Sequence, residues 1–224
     1  MTVGRDFSQH GEQRIIFDWL NSEKGRRCPT YCVDAGAYDG VVGSNSRALF
    51  LSGWGGLVIE PDPRTFARLR TLYSGRPDIV CRRVALSDRR RLARMHFSAG
   101  PAGTEASEEW KFAQVNTLSP SFAGEFEQNH GYRYRSSWCM VTTLTSVLKR
   151  ARAPRDIGFL SIDCEGEDLK IITAFDFSRY RPRLICVESD DHNRSFYADE
   201  FAKSDYHYYA HTAGNTFFTV GSSA

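Results

Sequence analysis

The chain has 224 residues, of which 41% are apolar and 25% charged, and its net charge is +2. These values are those of a folded domain of ordinary composition, and they exclude a disordered or low-complexity chain. No apolar run approaches the roughly 20 residues that a membrane helix needs, and so small a charge does not by itself indicate a nucleic-acid partner.

The N-terminal stretch MTVGRDFSQHGEQRIIFDWLN is polar and mixed in charge. It has no apolar core of signal-peptide length, which favours a cytoplasmic protein without a membrane segment. The six cysteines lie in or beside predicted strands, or lack the spacing of a zinc site. We therefore interpret them as structural thiols.

Short apolar runs alternate with helical patterns along the chain. Helices are predicted in QRIIFDWL, SNSRALFL, RTFARLRTLY, TSVLKRA and EDLKIITAF. Strands are predicted in TYCVDAG, GLVIEPDP, DIVCRRVALSD, RMHFS, CMVTT, IGFLSID and RPRLICVES, with a terminal pair in YHYYAHTAGNTFFTV. This alternation predicts an α/β domain with a mostly parallel sheet and helices on both faces.

Residues 99–137 interrupt the alternation. They are rich in glycine, serine, proline and aromatic residues, and they show no convincing period. Long irregular connections inside compact domains are usually functional. We therefore predict a single domain over residues 1–224 with a substrate-covering insertion at about 99–137. Its aromatic rings either stack on a sugar or pin the segment.

The stretch VDAGAYDG, residues 33–40, ends a predicted strand with Asp34 and a glycine turn. Such glycines let the backbone turn sharply and let a ligand approach the main chain closely. Tyr38 stands where a dinucleotide-binding loop needs its second glycine, which disfavours a nicotinamide oxidoreductase. Glu60 ends the next strand, where a carboxylate meets ribose hydroxyls. A ribose-containing ligand without phosphate fits this pattern, and S-adenosylmethionine is such a ligand.

Four blocks of the sequence together resemble the FkbM family of S-adenosylmethionine-dependent methyltransferases. They are DAGAYDGVVGSNSRALFLSGWGGLVIEPDP, VALSD, VTTLTSVL, and FLSIDCEGEDLKII followed by RPRLICVE. The blocks occur in the family's order and cover most of residues 31–220. The resemblance implies a Rossmann-like seven-stranded sheet with a reversed last strand. It also implies methyl transfer to the oxygen of a sugar or polyketide hydroxyl.

Carried over residue by residue, the resemblance implies a set of cofactor contacts. The first loop would hold the amino-acid part, Glu60 the ribose, and the VALSD loop the adenine. The implied residues are Asp34, Gly36, Ala37, Tyr38, Gly40, Asn45, Glu60, Asp62, Ala85, Leu86, Ser87 and Asp163. One departure is Thr145, which stands where the family pattern usually has aspartate.

A neutral alcohol needs a general base or a cation that lowers its pKa before it can accept a methyl group. The candidate catalytic residues at the predicted strand ends are Asp163, Glu165, Glu188 and His192. Asp163, Glu188 and Asp190 are hard oxygen ligands that could instead hold Mg²⁺. The alternative is metal-free, with one carboxylate or His192 as the base.

Other functions stay open at this level. An N-methyltransferase or nucleic-acid methyltransferase is disfavoured because no Asn-Pro-Pro-aromatic motif appears and the net charge is small. A cofactor-binding protein without catalysis is a further alternative. We expect a small-molecule or glycan acceptor and no nucleic-acid partner. The sequence does not specify the oligomeric state.

Overall fold

A computed structural model describes residues 4–221 of the chain. The helices are Glu12–Asn21 (α1), Arg47–Leu51 (α2), Pro63–Leu72 (α3), Pro120–His130 (α4), Leu144–Ala151 (α5), Asp168–Thr173 (α6) and Arg194–Ala202 (α7). Among the described residues, no helix combines the length and the apolar character that crossing a lipid bilayer requires.

Ten strands form two sheets. They are Tyr31–Ala35 (β1), Gly55–Ile59 (β2), Ile79–Arg82 (β3), Ala85–Leu86 (β4), Arg91–Pro101 (β5), Tyr132–Thr142 (β6), Asp156–Ile162 (β7), Arg181–Glu188 (β8), Tyr206–His211 (β9) and Asn215–Val220 (β10). The larger sheet has the order β3-β2-β1-β7-β8-β10-β9, and the smaller one has the order β4-β6-β5.

The larger sheet confirms the predicted fold class. Its first five strands run parallel, and β10, the last strand of the chain, runs antiparallel to both β8 and β9. Parallel strands β1 and β7 are buried on both faces, so their sequences are almost continuously apolar. The chain reverses its direction of travel across the sheet between β1 and β7, and ligands of open α/β sheets bind at such a point.

Apolar side chains pack on each face of this sheet. One cluster includes Leu57, Leu160 and Phe218, and the other includes Trp54, Phe50 and Phe217. The helix α3 shows how local sequence places its ends: Asp62 accepts the backbone N–H of Arg64, and Pro63 occupies the first turn.

The expectation that residues 99–137 are irregular is wrong. The segment contains the end of β5, a 3₁₀ helix over Glu109–Val115, the helix α4 and half of β6. The strands β5 and β6 pair over nearly their whole length. The segment is therefore an ordered extension of the domain, built on the small sheet.

Candidate active site

A cleft lies at the carboxyl ends of β1, β2, β7 and β8. Its walls come from the first glycine loop, the strand β4, the acidic loop after β7 and the segment 113–118. The predicted site residues that line it are Asp34, Gly36, Ala37, Tyr38, Asn45, Glu60, Ala85, Leu86, Asp163, Glu165 and Glu188.

The glycine loop turns immediately after β1. Gly36 has φ +91°, and a Cβ there would collide with the backbone oxygen of Asp163, so only glycine fits. The N–H groups of Gly36 and Ala37 both donate to the oxygen of Ile59. Gly40 lies outside the cleft lining, since it packs under Leu69 and Leu72 of α3. The loop thus brings β1 and the ends of β2 and β7 into contact.

Two polar side chains, those of Asp34 and Asn45, lie on either side of this loop in the sequence. Asp34 accepts a hydrogen bond from the hydroxyl of Ser46, and burial raises its pKa to about 6. Asn45 lines the cleft, and its buried Oδ1 accepts no hydrogen bond within residues 4–221. A buried acceptor without a donor is costly, so this oxygen is suited to a ligand that donates.

Glu60 ends β2 with a buried carboxylate. The backbone N–H groups of Tyr38 and Asp62 donate to it at 3.0 Å and 2.8 Å. Burial nevertheless raises its pKa to about 8. These two donors fix the carboxylate against the cleft wall.

Asp62 takes another role in the structure. It caps α3, pairs with Arg64 at 2.6 Å and accepts the side-chain amide of Asn116 at 2.8 Å. It is fully buried and lies outside the cleft lining. Ser87 also lies outside, and its hydroxyl donates to the buried carboxylate of Glu167. Its neighbours Ala85 and Leu86 form part of the apolar wall.

Three carboxyl groups meet at the ends of β7 and β8, beside the glycine loop. Oxygen atoms of Asp163, Glu165 and Glu188 lie within 4.8 Å of one another. Burial, followed by the negative charge of its neighbours, raises the pKa of each group above its ordinary range, and that of Glu188 to about 7. The side chains of Asp163 and Glu188 interact directly, so the two groups titrate as a pair.

Asp190 and His192 are not brought into this group. Asp190 is exposed, and its Oδ1 accepts the backbone N–H groups of His192 and Asn193 at 2.9 Å and 3.0 Å. His192 is also exposed and lies outside the cleft lining. Their proposed roles as metal ligand and base stay predictions.

The segment 109–118 closes one side of the cleft. Gln114, Asn116 and Leu118 line it, and no periodic pattern in the sequence marks these residues. Trp110 stacks on Tyr38 at 6.5 Å between ring centroids, and the Tyr38 hydroxyl donates to the Trp110 oxygen at 3.0 Å. The guanidinium of Arg68 lies 3.5 Å from the Trp110 ring centroid.

Other aromatic residues of the insertion also hold the insertion in place. Tyr132 packs against Phe112 and Phe126, and the Tyr134 hydroxyl donates to the oxygen of Val115. At the far end, Thr117 donates to the oxygen of Glu165 at 2.7 Å. The segment is therefore fastened to both halves of the cleft.

The raised pKa values predict how stability depends on pH. Asp34, Glu188 and Glu60 have folded pKa values of about 6, 7 and 8, all above their ordinary values near 4. The folded state then binds more protons than the unfolded state. The stability that these groups contribute is complete below pH 4 and is lost as the pH rises through 6 to 8.

We expect the free energy of unfolding of the cofactor-free protein to fall as the pH rises from about 4 to 8. Glu188→Gln should flatten this decline and stabilise the protein at pH 8 by roughly 1–3 kcal/mol. Denaturant unfolding at several pH values measures both effects. Glu23→Gln, at an exposed position of the N-terminal region, is the control. If the free energy of unfolding depends on pH in Glu188→Gln as it does in the wild type, the pKa of Glu188 is not raised in the folded protein.

The FkbM methyltransferase domain matches this chain over residues 34–208. The chain belongs to the FkbM methyltransferase family. The resemblance predicted from four sequence blocks is thereby confirmed. The matched range contains the glycine loop, Glu60, the insertion and the three clustered acids of this family member. Thr145, the residue that departs from the family pattern, lies outside the cleft lining, where its hydroxyl accepts the N–H of Asp176.

Solved methyltransferase structures are similar to the chain at low sequence identity. The FkbM methyltransferase of Methylobacillus flagellatus KT is 14% identical, with a TM-score of 0.48, over 85% of this chain and 43% of that one. The chain thus spans less than half the length of that relative. Precorrin-6y C5,15-methyltransferase of Geobacter metallireducens GS-15 is 10% identical, with a TM-score of 0.49, over 99% and 94% of the two chains.

The METTL16 methyltransferase domain is 11% identical, with a TM-score of 0.51, over 99% of this chain and 71% of that one. At this level of identity the likeness shows a shared fold alone. No curated protein matches the sequence.

Proposed function

We propose that this family member transfers a methyl group from S-adenosylmethionine to a hydroxyl of a sugar, glycan or polyketide-type small molecule. The observation that carries the proposal is the composition of the cleft. A glycine loop and the glutamate that follows β2 lie beside a cluster of three carboxyl groups at the ends of β7 and β8. The predicted cytoplasmic location is part of the same proposal.

The residues that line the cleft have the chemical character that S-adenosylmethionine requires. Val84, Leu86, Met95 and Leu118 supply an apolar wall of the kind that an adenine ring needs. Glu60 offers carboxylate oxygens to ribose hydroxyls. The unpaired Oδ1 of Asn45 and the carboxylate of Asp34 are acceptors for an ammonium group. The adenine, the ribose and the ammonium group of the ligand thus each have a matching residue.

S-adenosylmethionine, when bound, supplies a methyl group that is already electrophilic. The protein's task is then to align the acceptor and to remove its proton. Glu188 is our choice for the base, because its pKa of about 7 keeps a large part of it ionised at neutral pH. Asp163, whose side chain interacts directly with it, is a positioning residue for that base.

A Mg²⁺ ion is the second candidate, since three carboxylate oxygens within 4.8 Å of one another also suit a hard cation. One observation favours the metal-free route: Asp190, the third predicted ligand, is exposed, and its Oδ1 accepts the backbone N–H groups of His192 and Asn193. We therefore propose proton transfer to Glu188 without a metal.

A chelation experiment tests this choice. The protein is treated with excess EDTA, desalted, and incubated with S-adenosylmethionine and a panel of monosaccharides, oligosaccharides and polyketide alcohols. We expect S-adenosylhomocysteine and a methyl ether, both detected by mass spectrometry, at the same rate as in the untreated protein. A rate that collapses on chelation and returns with added Mg²⁺ would assign the acids to a metal. Product methylated on nitrogen would overturn the hydroxyl acceptor.

A further inference from the structure

The outer face of the small sheet exposes an apolar strip. Residues paired across β5 and β6 bring Leu92 beside Met140 and Arg94 beside Trp138. The side chains of Leu92, Trp138 and Met140 are 64%, 68% and 45% exposed. Three such neighbours on one strand pair differ from the singly scattered apolar residues that are common on protein surfaces.

The opposite face of the same strands is buried. Met95 and Val141 pack there with Ala85 of β4, and Met95 and Ala85 also line the cleft. The small sheet is thus a wall of the cleft with one covered face and one uncovered face. We call the uncovered face, with Leu92, Arg94, Trp138, Met140 and the adjoining Arg83, the outer patch.

The outer patch is basic. Arg83 lines a groove that borders the patch, together with Trp138 and Met140 and with the acids Asp62 and Glu109, which pair with Arg64. Residues 82–94 and 132–142 together carry eight arginines: Arg89 and Arg91 pair with Asp88, and Arg135 pairs with Glu109. Within residues 4–221, the other five have no carboxylate within ion-pair distance, and all are exposed: Arg82, Arg83, Arg90, Arg94 and Arg133. Because the whole chain has a net charge of +2, this region is a local concentration of positive charge.

The positive charge and the exposed apolar side chains of the outer patch favour some kinds of binding partner over others. A second copy docking symmetrically through this face would bring unpaired arginines together, which like-charge repulsion disfavours. A nucleic acid would satisfy the arginines, but exposed Leu92 and Met140 gain little against a phosphate backbone. A surface with both negative charge and accessible hydrocarbon suits all five side chains of the outer patch, because the arginines bind the negative charge and the apolar side chains contact the hydrocarbon.

We propose that the outer patch docks the protein on the surface of an anionic lipid bilayer. Trp138 would lie at headgroup level, where indole rings are favoured, with Leu92 and Met140 dipping toward the acyl chains. Arg83 and Arg94 would contact lipid phosphates. The cleft, on the other side of one sheet layer, would lie about 10 Å from the headgroups. This inference does not depend on which reaction the cleft performs.

Vesicle co-sedimentation of the full chain tests the proposal. We expect binding to vesicles that contain phosphatidylglycerol and little binding to pure phosphatidylcholine, with the affinity falling as salt rises. Arg83→Gln/Arg94→Gln should weaken binding about tenfold or more, since each surface cation contributes about fivefold. Leu92→Ser/Trp138→Ser should weaken it by at least as much without changing the charge.

Matched controls lie elsewhere on the surface. Lys149→Gln/Arg150→Gln removes the same charge from exposed positions of α5, and Phe196→Ser removes a 62% exposed ring from α7. Both should bind vesicles like the wild type. Thermal unfolding and calorimetric cofactor binding show that each variant is folded. If one patch variant fails to fold, the other pair still tests the proposal.

Three results would overturn the inference. The first is equal sedimentation with neutral and anionic vesicles, or none with either. The second is a loss of binding in the control variants as large as that in the patch variants. The third is binding to a fluorescent single-stranded oligonucleotide that exceeds vesicle binding and survives Leu92→Ser/Trp138→Ser, which would assign the patch to nucleic acid.

Discussion

Glu188→Gln is expected to lower kcat for methyl transfer by a factor of about 10²–10⁴, the usual contribution of a general base. The substitution keeps the shape of the side chain but removes the carboxylate that we propose as the base. Calorimetric affinity for S-adenosylmethionine should change far less than kcat, because the proposed ribose contact, Glu60, follows β2 and is separated from β8 by β1 and β7. Product formation followed by mass spectrometry gives the rate.

The control for this variant is His192→Gln. His192 is exposed and lies outside the cleft lining, so we expect this change to retain most of the activity. The pH profile supplies a second control, since a base with a pKa of about 7 gives a rate that rises through neutral pH. An active Glu188→Gln variant with an inactive His192→Gln variant would transfer the role of base to His192.

Glu60→Ala is expected to weaken the binding of S-adenosylmethionine, which we expect to be in the micromolar range, by roughly 1.5–3 kcal/mol. This corresponds to about 10- to 150-fold in Kd. The N–H groups of Tyr38 and Asp62 hold the Glu60 carboxylate in place. Glu60→Ala therefore leaves the ribose without a side-chain acceptor at this position. Titration calorimetry with the wild type and with Glu23→Ala, at an exposed site, gives the comparison.

The same contact predicts a pH dependence of affinity. Hydroxyl groups that donate to Glu60 favour its ionised form, so its pKa of about 8 should fall on binding. A proton is then released near neutral pH, and affinity should rise between pH 6 and pH 8. Glu60 also accepts hydrogen bonds from two backbone N–H groups, so Glu60→Ala can destabilise the fold. The thermal stability of the variant must therefore be measured together with its affinity. A folded Glu60→Ala variant with unchanged Kd would remove Glu60 from the cofactor site.

The core of the fold could be predicted because its strands carry strong local signals. The strands β1, β2, β7 and β8 are apolar runs that end at Asp34, Glu60, Asp163 and Glu188 or beside them. A parallel sheet must place these ends together at one edge, so a cleft with these four acids follows from topology.

The insertion could not be predicted from periodicity. The helix α4 buries only Ala123, so its sequence has no apolar stripe, although Ser119 and Pro120 do form an ordinary start. In β6, the exposed side chains of Trp138 and Met140 replace the polar residues that an alternating pattern would require. The helix α7 was also missed, since it buries only Tyr197 and Phe201.

Some site residues depend on long-range contacts that have no local pattern. Asp62 was assigned to the cofactor, but Arg64 and Asn116 engage it in the structure. Glu165 enters the acid cluster through a positive φ of 50°, which is uncommon for a residue with a side chain. Gln114 and Asn116 reach the cleft because contacts at both ends hold their segment, Trp110 with Tyr38 and Thr117 with Glu165.

A crystal structure of the protein with S-adenosylhomocysteine tests the central claim most directly. We predict that the nucleoside lies between the glycine loop and the wall formed by Leu86 and Leu118. Both ribose hydroxyls should lie within hydrogen-bond distance of the Glu60 carboxylate, and the sulfur should face Asp163 and Glu188. A ligand bound elsewhere, or bound with its ribose turned away from Glu60, would contradict the proposed site.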